Sequence, residues 1–270
     1  ASTAAQEEVK TKEPKNLSKS SEPEPSKNPT RLYHYEFEFS EIQGFEEIAY
    51  ELEKLKIKPS TVDMDLYNQS FREDDLDFTS LSPGTPKFKQ RYDEIMAQCL
   101  NSKGSTATPD YIQRQFHLIN LDLHVEHPFY DDYFATKLKV LRLLESYFGT
   151  DIRFSGSLWY PPNAYRLWHT NEAQPGWRMY LIDFDDFEPL KTEESFFRYM
   201  HPDTKEIITL REQSKLVRFF KVEKEPEKLF WHCIVNATKS NRWSFGFVVS
   251  DRWMDQLNIK IMNLSPDLLR

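Results

Sequence analysis

Two histidines, an arginine and a serine in the second half of the chain have spacings that suit binding of a metal ion and of a carboxylate. His169 and Asn171 lie two residues apart in the strand-like run AYRLWHTN, so we expect both side chains to leave one face of a strand. His232 ends the apolar part of a second such run, KLFWHCIV. Arg242 and Ser244 follow it, again two residues apart and on one face.

These residue types define a possible chemistry. Neutral imidazoles are good ligands for iron, and a planar guanidinium beside a hydroxyl binds a carboxylate through several hydrogen bonds. Asn171 is the unusual member, because a carboxylate is the common third ligand beside two histidines. An amide oxygen brings no charge, so the sequence predicts either a weak third ligand or a position filled by water.

The order of these residues resembles the iron(II)- and 2-oxoglutarate-dependent oxygenases, in which His-X-Asp/Glu is followed by a distant histidine and then by a basic residue. The resemblance covers about residues 150–255. YPPNAYRLWHTN is similar to the prolyl-hydroxylase branch, while the arginine positions and the segment SDRWMDQL are similar to aspartyl/asparaginyl β-hydroxylases. The resemblance implies a double-stranded β-helix, a jelly-roll relative of the cupins, that uses Fe(II), 2-oxoglutarate and O2.

The resemblance also implies roles for individual residues. The implied metal ligands and catalytic residues are His169, Asn171 and His232. The implied 2-oxoglutarate-binding residues are Arg242, Ser244 and Tyr160. Arg178, in GWRMYLI, is expected to face the same cavity and to hold a second carboxylate.

Three outcomes remain open because of Asn171, and halogenation is the least favoured of them. Aspartyl/asparaginyl hydroxylases act without the carboxylate, and related halogenases carry a small residue there, whereas Asn171 is bulkier. We therefore expect a 2-oxoglutarate-dependent dioxygenase that hydroxylates an amino acid, a peptide or another carboxylate-bearing substrate. The alternative is a catalytically inactive protein that keeps the fold as a binding scaffold.

Other polar residues give weaker signals. The segment HVEH, from His124 to His127, is a rival metal pair, although it also fits the solvent face of an amphipathic strand. Cys233 is adjacent to His232, and adjacent strand residues face opposite ways, which favours a packed thiol over a catalytic one. Ser157 lacks the GxSxG context of a serine nucleophile.

Composition excludes several classes of function. The net charge of −8 is spread over short patches without a Lys/Arg stripe, so we expect no nucleic-acid partner. Glycine-rich phosphate loops are absent from the sequence, and its 2 cysteines cannot form a disulfide framework. We find no apolar run long enough for a membrane span and expect a soluble chain. The compartment stays open, with the cytoplasm slightly favoured over a secretory lumen.

The pattern along the chain predicts an α+β organisation. Residues 1–30 are rich in Ser, Pro, Lys and Glu and predict a disordered tail. We expect one domain over 31–270, with an N-terminal elaboration of helices and strands over 31–149 and the β-helix core over 150–255. RLYHYEFEFSEI and FHLINLDLHVE alternate as strands, whereas FEEIAYELEKL, QRYDEIMAQCL and YFATKLKVLRLLESYFG have helical spacing, and Gly149 is the expected stop of the last helix.

Overall fold

Two antiparallel β-sheets form the centre of the protein. The computed structural model describes residues 32–103, 109–186 and 194–260, so the tail predicted at 1–30 lies outside the described residues. One sheet has six strands, in the order β1 (His34–Glu38), β9 (Leu216–Val222), β6 (Gly176–Phe184), β11 (Arg242–Val248), β4 (Arg153–Tyr160) and β3 (Ile119–Asn120). The other has five, in the order β2 (Phe116–His117), β5 (Ala164–His169), β10 (His232–Asn236), β7 (Ser195–Met200) and β8 (Ile207–Arg211).

The chain alternates between the sheets as it runs from β4 to β11. Strands β4, β6, β9 and β11 lie in the larger sheet in the order β9-β6-β11-β4, and β5, β7, β8 and β10 lie in the smaller sheet in the order β5-β10-β7-β8. Only β7 and β8 are consecutive strands that pair with each other in this region. Eight antiparallel strands connected in this way form a jelly roll. The predicted α+β fold with a double-stranded β-helix core is therefore confirmed.

Helices surround this core. They are α1 (Glu46–Glu53), α2 (Met64–Gln69), α3 (Glu73–Phe78), α4 (Pro86–Lys103), α5 (Leu121–His124), α6 (Tyr130–Phe148) and α7 (Trp253–Lys260). Short 3-10 turns lie at Phe39–Glu41, Asp110–Ile112, His127–Phe129 and Pro226–Lys228. The predicted end of α6 is confirmed: Gly149 has a φ of 72° and donates its N–H to the Glu145 carbonyl at 2.8 Å. Within the described parts of the chain, no helix combines the length and apolar character needed to cross a bilayer.

Strand β11 shows how the sheets separate a packed exterior from an enclosed interior. Its odd-numbered residues, such as Phe245 and Phe247, belong to a hydrophobic core that also includes side chains of α1, α6 and α7. Within that core, Trp253 stacks on Phe219 with ring centroids 3.7 Å apart. The even-numbered residues face the space between the two sheets, where Arg242 and Ser244 line a cavity. Both faces of β11 are thus buried, and the inner face bears polar groups.

The smaller sheet is covered on its outer face as well. Trp168 of β5 and Cys233 of β10 belong to a second hydrophobic cluster with Phe78 of α3 and Phe88 of α4. The indole N–H of Trp168 donates to the Phe78 carbonyl at 3.0 Å, which fixes α3 against β5. The helices α3 and α4 thereby shield the strands that bear both histidines.

The prediction of one strand over FHLINLDLHVE is wrong. The structure has two short strands, β2 and β3, followed directly by α5. The side chain of Asn120 accepts a hydrogen bond from the backbone N–H of Asp122 at 3.1 Å and caps the helix. Leu123, which the alternation placed on an apolar face, is 64% exposed. An N-cap therefore overrides the period-two pattern.

Candidate active site

A cavity lies between the two sheets. Seven strands, β4 to β7 and β9 to β11, contribute to its wall. Most of the lining side chains are apolar or aromatic, and the polar ones are Arg166, His169, Arg218, His232, Arg242 and Ser244. Three of these polar groups are guanidiniums, and none of the described lining residues is a carboxylate. The cavity thus has a positive lining.

The two histidines lie side by side. His169 ends β5 and His232 begins β10, and the two residues are direct partners in the antiparallel ladder. Their ring centroids are 3.9 Å apart. The Nδ1 atom of His169 is 2.8 Å from the Leu167 carbonyl, and that of His232 is 2.8 Å from the Phe230 carbonyl. Since a carbonyl only accepts, the proton lies on Nδ1 and each Nε2 keeps a free lone pair.

Burial keeps both rings neutral. It lowers the pKa of His169 well below its ordinary value, and the nearby charge of Arg166 adds to that effect. Burial also lowers the pKa of His232 to about 3, and its hydrogen bond to Phe230 opposes that shift. The Nε2 atom of His169 is buried without a hydrogen-bond partner. Histidine binds metals as a neutral imidazole whose other ring nitrogen, here Nδ1, donates its N–H to a carbonyl.

A β-bulge brings Arg166 and His169 into the same cavity. In regular alternation residues three apart face opposite ways, but the register of β5 against β10 shifts between these two positions. Leu167 and Trp168 both point outward into the cluster beneath α3 and α4. The extra residue turns the Arg166 guanidinium towards the two imidazoles. Sequence reasoning missed Arg166 because a bulge cannot be seen from one strand alone.

Arg242 and Ser244 lie on the inner face of β11, and Tyr160 lies opposite Arg242 on β4. The Arg242 guanidinium lies over the Tyr160 ring, 4.5 Å from its centroid. Burial raises the pKa of the Tyr160 hydroxyl, and the charges of Arg242 and Arg166 oppose that rise. Five of the seven residues expected from the sequence are therefore brought to one cavity: Tyr160, His169, His232, Arg242 and Ser244.

Asn171 and Arg178 are not among the residues that line the cavity. The expectation that Asn171 shares a strand face with His169 is wrong, because β5 ends at His169. Asn171 is exposed, has a φ of 54°, and accepts a hydrogen bond from the Gln174 N–H through its carbonyl, so it begins a turn. Arg178 is buried on the same face of β6 as Tyr180, and its Nη2 donates to the Gln174 carbonyl at 2.7 Å.

Two charged residues that the sequence did not indicate lie beside Arg242. Glu212, which is fully buried, accepts from Arg242 Nε at 2.5 Å and from Arg218 Nη2 at 2.8 Å. Desolvation acts to raise the pKa of Glu212, but the charges and hydrogen bonds of the two arginines outweigh it and lower that pKa. The available signal was Arg218 itself, a charge within the apolar run LVRFFKV. Glu212 lies just beyond β8, and its neighbours in the sequence give no such signal.

A second, wider chamber adjoins the cavity. The two share Leu158, Arg166 and Tyr180 as lining residues. The rest of the chamber is mostly apolar and neutral polar, with Phe116 from β2 and Leu118 from the link between β2 and β3. The guanidinium of Arg166 lies 4.7 Å from the centroid of the Phe116 ring. The arginine therefore borders both spaces.

The rival polar residues lie elsewhere. In HVEH, His124 ends α5 and bonds Asp110 through Nε2 at 2.8 Å, and neither of these residues lines the inner cavity. Burial raises the pKa of the Cys233 thiol, which packs in the outer cluster. Ser157 is fully buried. Among the described residues, no group of three or more His, Cys, Asp and Glu side chains is arranged to hold a metal ion.

The donor set of the cavity therefore fits a metal only as a pair of imidazoles. The unpartnered, buried Nε2 of His169 and the fixed tautomer of His232 are suited to ligation. A carboxylate that would complete the common 2-His-1-carboxylate arrangement is missing from the described lining. Any further ligands at such a centre would be small molecules.

Comparisons with known proteins give structural matches only. No model of a known protein family matches the chain, and no curated protein matches it. Matching solved structures include a 2OG-Fe(II) oxygenase family oxidoreductase from Burkholderia pseudomallei, at 10% identity and a TM-score of 0.30, over 49% of this chain and 64% of that one. A Pseudomonas putida prolyl-4-hydroxylase matches at 14% identity and a TM-score of 0.31, over 57% and 83% of the two chains.

A third match is a prolyl hydroxylase from Trichoplax adhaerens, solved in complex with a hypoxia inducible factor oxygen degradation domain peptide fragment. Its identity is 10% and its TM-score 0.32, over 76% of this chain and 98% of that one. The chain spans less than two thirds of the Burkholderia protein. The fold assignment rests on the strand order of the two sheets.

Proposed function

We propose that the protein is a non-haem iron(II)- and 2-oxoglutarate-dependent oxygenase in which His169 and His232 hold the iron. The observation that supports this most directly is the pair of neutral imidazoles, adjacent in the ladder, with Nδ1 bound to backbone carbonyls and Nε2 free. When bound, iron supplies the activation of O2 that oxidation of an unreactive C–H bond requires. An iron centre of this kind needs few protein ligands and several open positions.

The charges of the cavity support a dicarboxylate as co-substrate. Arg166, Arg218 and Arg242 line the cavity, and in the described chain two carboxylates contact them, the buried Glu212 and the partly buried Glu36. The excess of positive charge in an enclosed space favours an anion. 2-Oxoglutarate is such an anion.

The chain's own residues would orient the co-substrate. In the proposal, Arg242 donates to one carboxylate while the Ser244 hydroxyl, two residues along the same face of β11, donates a further hydrogen bond. The ring of Tyr160 supports the guanidinium from below. Arg166 lies near the two imidazoles, whose pKa values its charge lowers, and suits the second carboxylate.

We propose hydroxylation of an amino acid, a peptide or another carboxylate-bearing molecule as the reaction. Asn171 lies outside the cavity lining, so in this proposal its amide leaves the third position to an oxygen ligand from solvent or co-substrate. The wider chamber that borders Arg166 is the proposed place for the substrate. Arg178 donates to the Gln174 carbonyl through Nη2, and its charge lowers the pKa of both histidines, so its role in holding a second carboxylate stays a prediction.

An anaerobic titration tests the proposal. Fe(II) and 2-oxoglutarate added without O2 are expected to give a weak visible charge-transfer band, and admission of O2 is expected to give succinate. His169→Ala should abolish both signals, whereas His127→Ala, at an exposed histidine outside the cavity, should leave them unchanged. Absence of the band and of succinate at saturating iron would refute the oxygenase and support the alternative, an inactive scaffold. The missing carboxylate beside the histidine pair is the observation that favours that alternative.

A further inference from the structure

Two unpartnered guanidinium nitrogens belong to arginines that line the cavity. Arg218 and Arg242 are 1% and 2% exposed, and both line the cavity. The Nη1 atom of each is buried and has no hydrogen-bond partner. Other nitrogens of the two side chains are bound: Arg242 binds Glu212 through Nε, and Arg218 binds Glu212 and Glu36. In each arginine the N–H groups of Nη1 are thus left without an acceptor.

These two donors have a common setting. Arg218 belongs to β9 and Arg242 to β11, the strands on either side of β6, and Glu212 contacts both from one side. Glu36 fixes Arg218 further, because its Oε2 lies 2.8 Å from Nε and 2.7 Å from Nη2. The ring of Phe197 supports the Arg218 guanidinium at 4.8 Å, as Tyr160 supports Arg242. Both forks are therefore held rigidly before any ligand arrives.

A buried charged donor without a partner is costly, and it is rare unless a ligand or water completes it. Glu212 and Glu36 supply two negative charges for these two guanidiniums, so the need that remains is for hydrogen-bond acceptors at the two Nη1 atoms. One carboxylate supplies two acceptor oxygens, one for each Nη1, and its charge strengthens both hydrogen bonds. Arg166 also lines the cavity and gives the lining a positive charge that favours an anionic ligand.

We propose that Arg218 and Arg242 form a two-guanidinium receptor for one carboxylate of a dicarboxylate ligand, with Glu212 and Glu36 as positioning residues. This inference rests on the proposed function only in taking the ligand to be the co-substrate. It assigns to Arg218 a role in binding that the motif spacing gives to Arg242 alone. Selectivity for a second carboxylate then depends on two strands and not on one.

Equilibrium binding to metal-free protein tests the receptor apart from turnover. The probe is glutarate, which has both carboxylates of 2-oxoglutarate but lacks the 2-oxo group that binds iron, and binding is measured by calorimetry after EDTA treatment. Arg218→Lys keeps the charge near Glu212 but has a single nitrogen. A lysine therefore cannot form hydrogen bonds to Glu212, Glu36 and the ligand at the same time in the planar geometry of a guanidinium. We expect it to weaken glutarate binding by about tenfold to a hundredfold, and Arg242→Lys to do the same.

Arg252→Lys is the matched control, because Arg252 is largely exposed and pairs only with Asp255 in the described structure. It should bind glutarate as the unaltered protein does. Unchanged binding in Arg218→Lys beside weakened binding in Arg242→Lys would overturn the two-arginine receptor, and so would failure of the unaltered protein to bind glutarate. If circular dichroism shows that Arg218→Lys does not fold, the receptor is tested instead with crystals of the unaltered protein soaked in glutarate. A carboxylate within hydrogen-bond distance of both Nη1 atoms is expected, and contact with Arg242 alone refutes the inference.

The two proposals can fail separately. Glutarate binding that depends on Arg218, in a protein that forms no succinate with iron, would support the receptor and refute the oxygenase. Succinate formation with unaltered glutarate affinity in Arg218→Lys would support the oxygenase and refute the receptor.

Discussion

Replacement of Gly246 by alanine should disturb the wall between the cavity and the wider chamber. Gly246 lies in β11 directly opposite Tyr180 of β6 on one side and Gly156 of β4 on the other. A Cβ atom at this position would lie 2.7 Å from Cε2 and Cζ of the Tyr180 ring and 2.6 Å from Ser155 Oγ. These distances are well inside ordinary van der Waals contact. Since Tyr180 borders both spaces, its ring has to move into one of them.

The cost follows from two opposing effects. Overpacking of a closely packed site typically costs about 1–3 kcal/mol, and the loss of glycine's freedom in the unfolded chain returns about 0.4–1 kcal/mol. The ring and the hydroxyl are ends of side chains and can give way, which keeps the net loss of unfolding free energy at about 1–2 kcal/mol. For a domain of this size that is a fall in Tm of roughly 2–8 °C. Displacement of the ring should also weaken glutarate binding.

Gly156 provides the control, since it is the ladder partner of Gly246 and a Cβ there would have nothing within 4 Å. We expect Gly156→Ala to be neutral or slightly stabilising in thermal and urea unfolding. Tyr180→Leu removes the ring, so the pair Tyr180→Leu and Gly246→Ala should show a coupling that recovers most of the loss caused by the alanine. A Tm for Gly246→Ala equal to that of Gly156→Ala would refute the close approach of β11 and the Tyr180 ring.

Three further predictions concern charge. Burial lowers the pKa of His117 to about 4, whereas its pKa in the unfolded chain is near 6.5. The unfolded chain therefore gains a proton first, and stability is lost as the pH falls from 6.5 towards 4. Between pH 6.5 and 5 this residue contributes about 2 kcal/mol of that loss, and urea unfolding of His117→Gln should lack this contribution. Asn171→Asp, in an exposed turn at a φ that Asp also tolerates, should leave Tm unchanged and Fe(II) affinity within about threefold; a rise of tenfold or more would return the residue to the metal site. Asp183→Asn removes the buried partner of Lys56, 2.8 Å away, and should cost about 3 kcal/mol in unfolding free energy, whereas Asp93→Asn at an exposed pair should cost under about 1 kcal/mol. An equal effect of the two aspartate variants would contradict the buried pair.

The sequence predicted those features that depend on local pattern. Helix α6 and its stop at Gly149 follow from apolar spacing and a left-handed glycine, and both are present. The resemblance predicted the jelly roll, and the strand order confirms it. Tyr160 and Arg242, far apart in sequence, meet because β4 and β11 are neighbours in that fold. Local alternation failed where a cap intervened: Asn120 starts a helix within a run that continues to alternate.

Features that depend on a partner strand could not be predicted. The turn of Arg166 towards His169 needs the bulge in β5, and the bulge exists only relative to the register of β10. Asn171 was assigned to the strand of His169, but a positive φ two residues later ends that strand and redirects the side chain. Spacing of two residues implies a shared face only while the ladder continues.

Motif spacing predicts a ligand-binding role for Arg242 but not the ion pair that the same residue forms. An arginine at that position is compatible with a ligand receptor or with a structural ion pair, and the sequence alone does not separate the two. Here the same guanidinium does both: its Nε is occupied by Glu212 while its Nη1 is left without a partner beside the cavity. The buried carboxylate comes from the segment between β8 and β9, and it also holds Arg218. The charge that a ligand meets is therefore set by three chain segments together. Variants of Glu212 should change ligand affinity, although Glu212 itself does not contact the ligand.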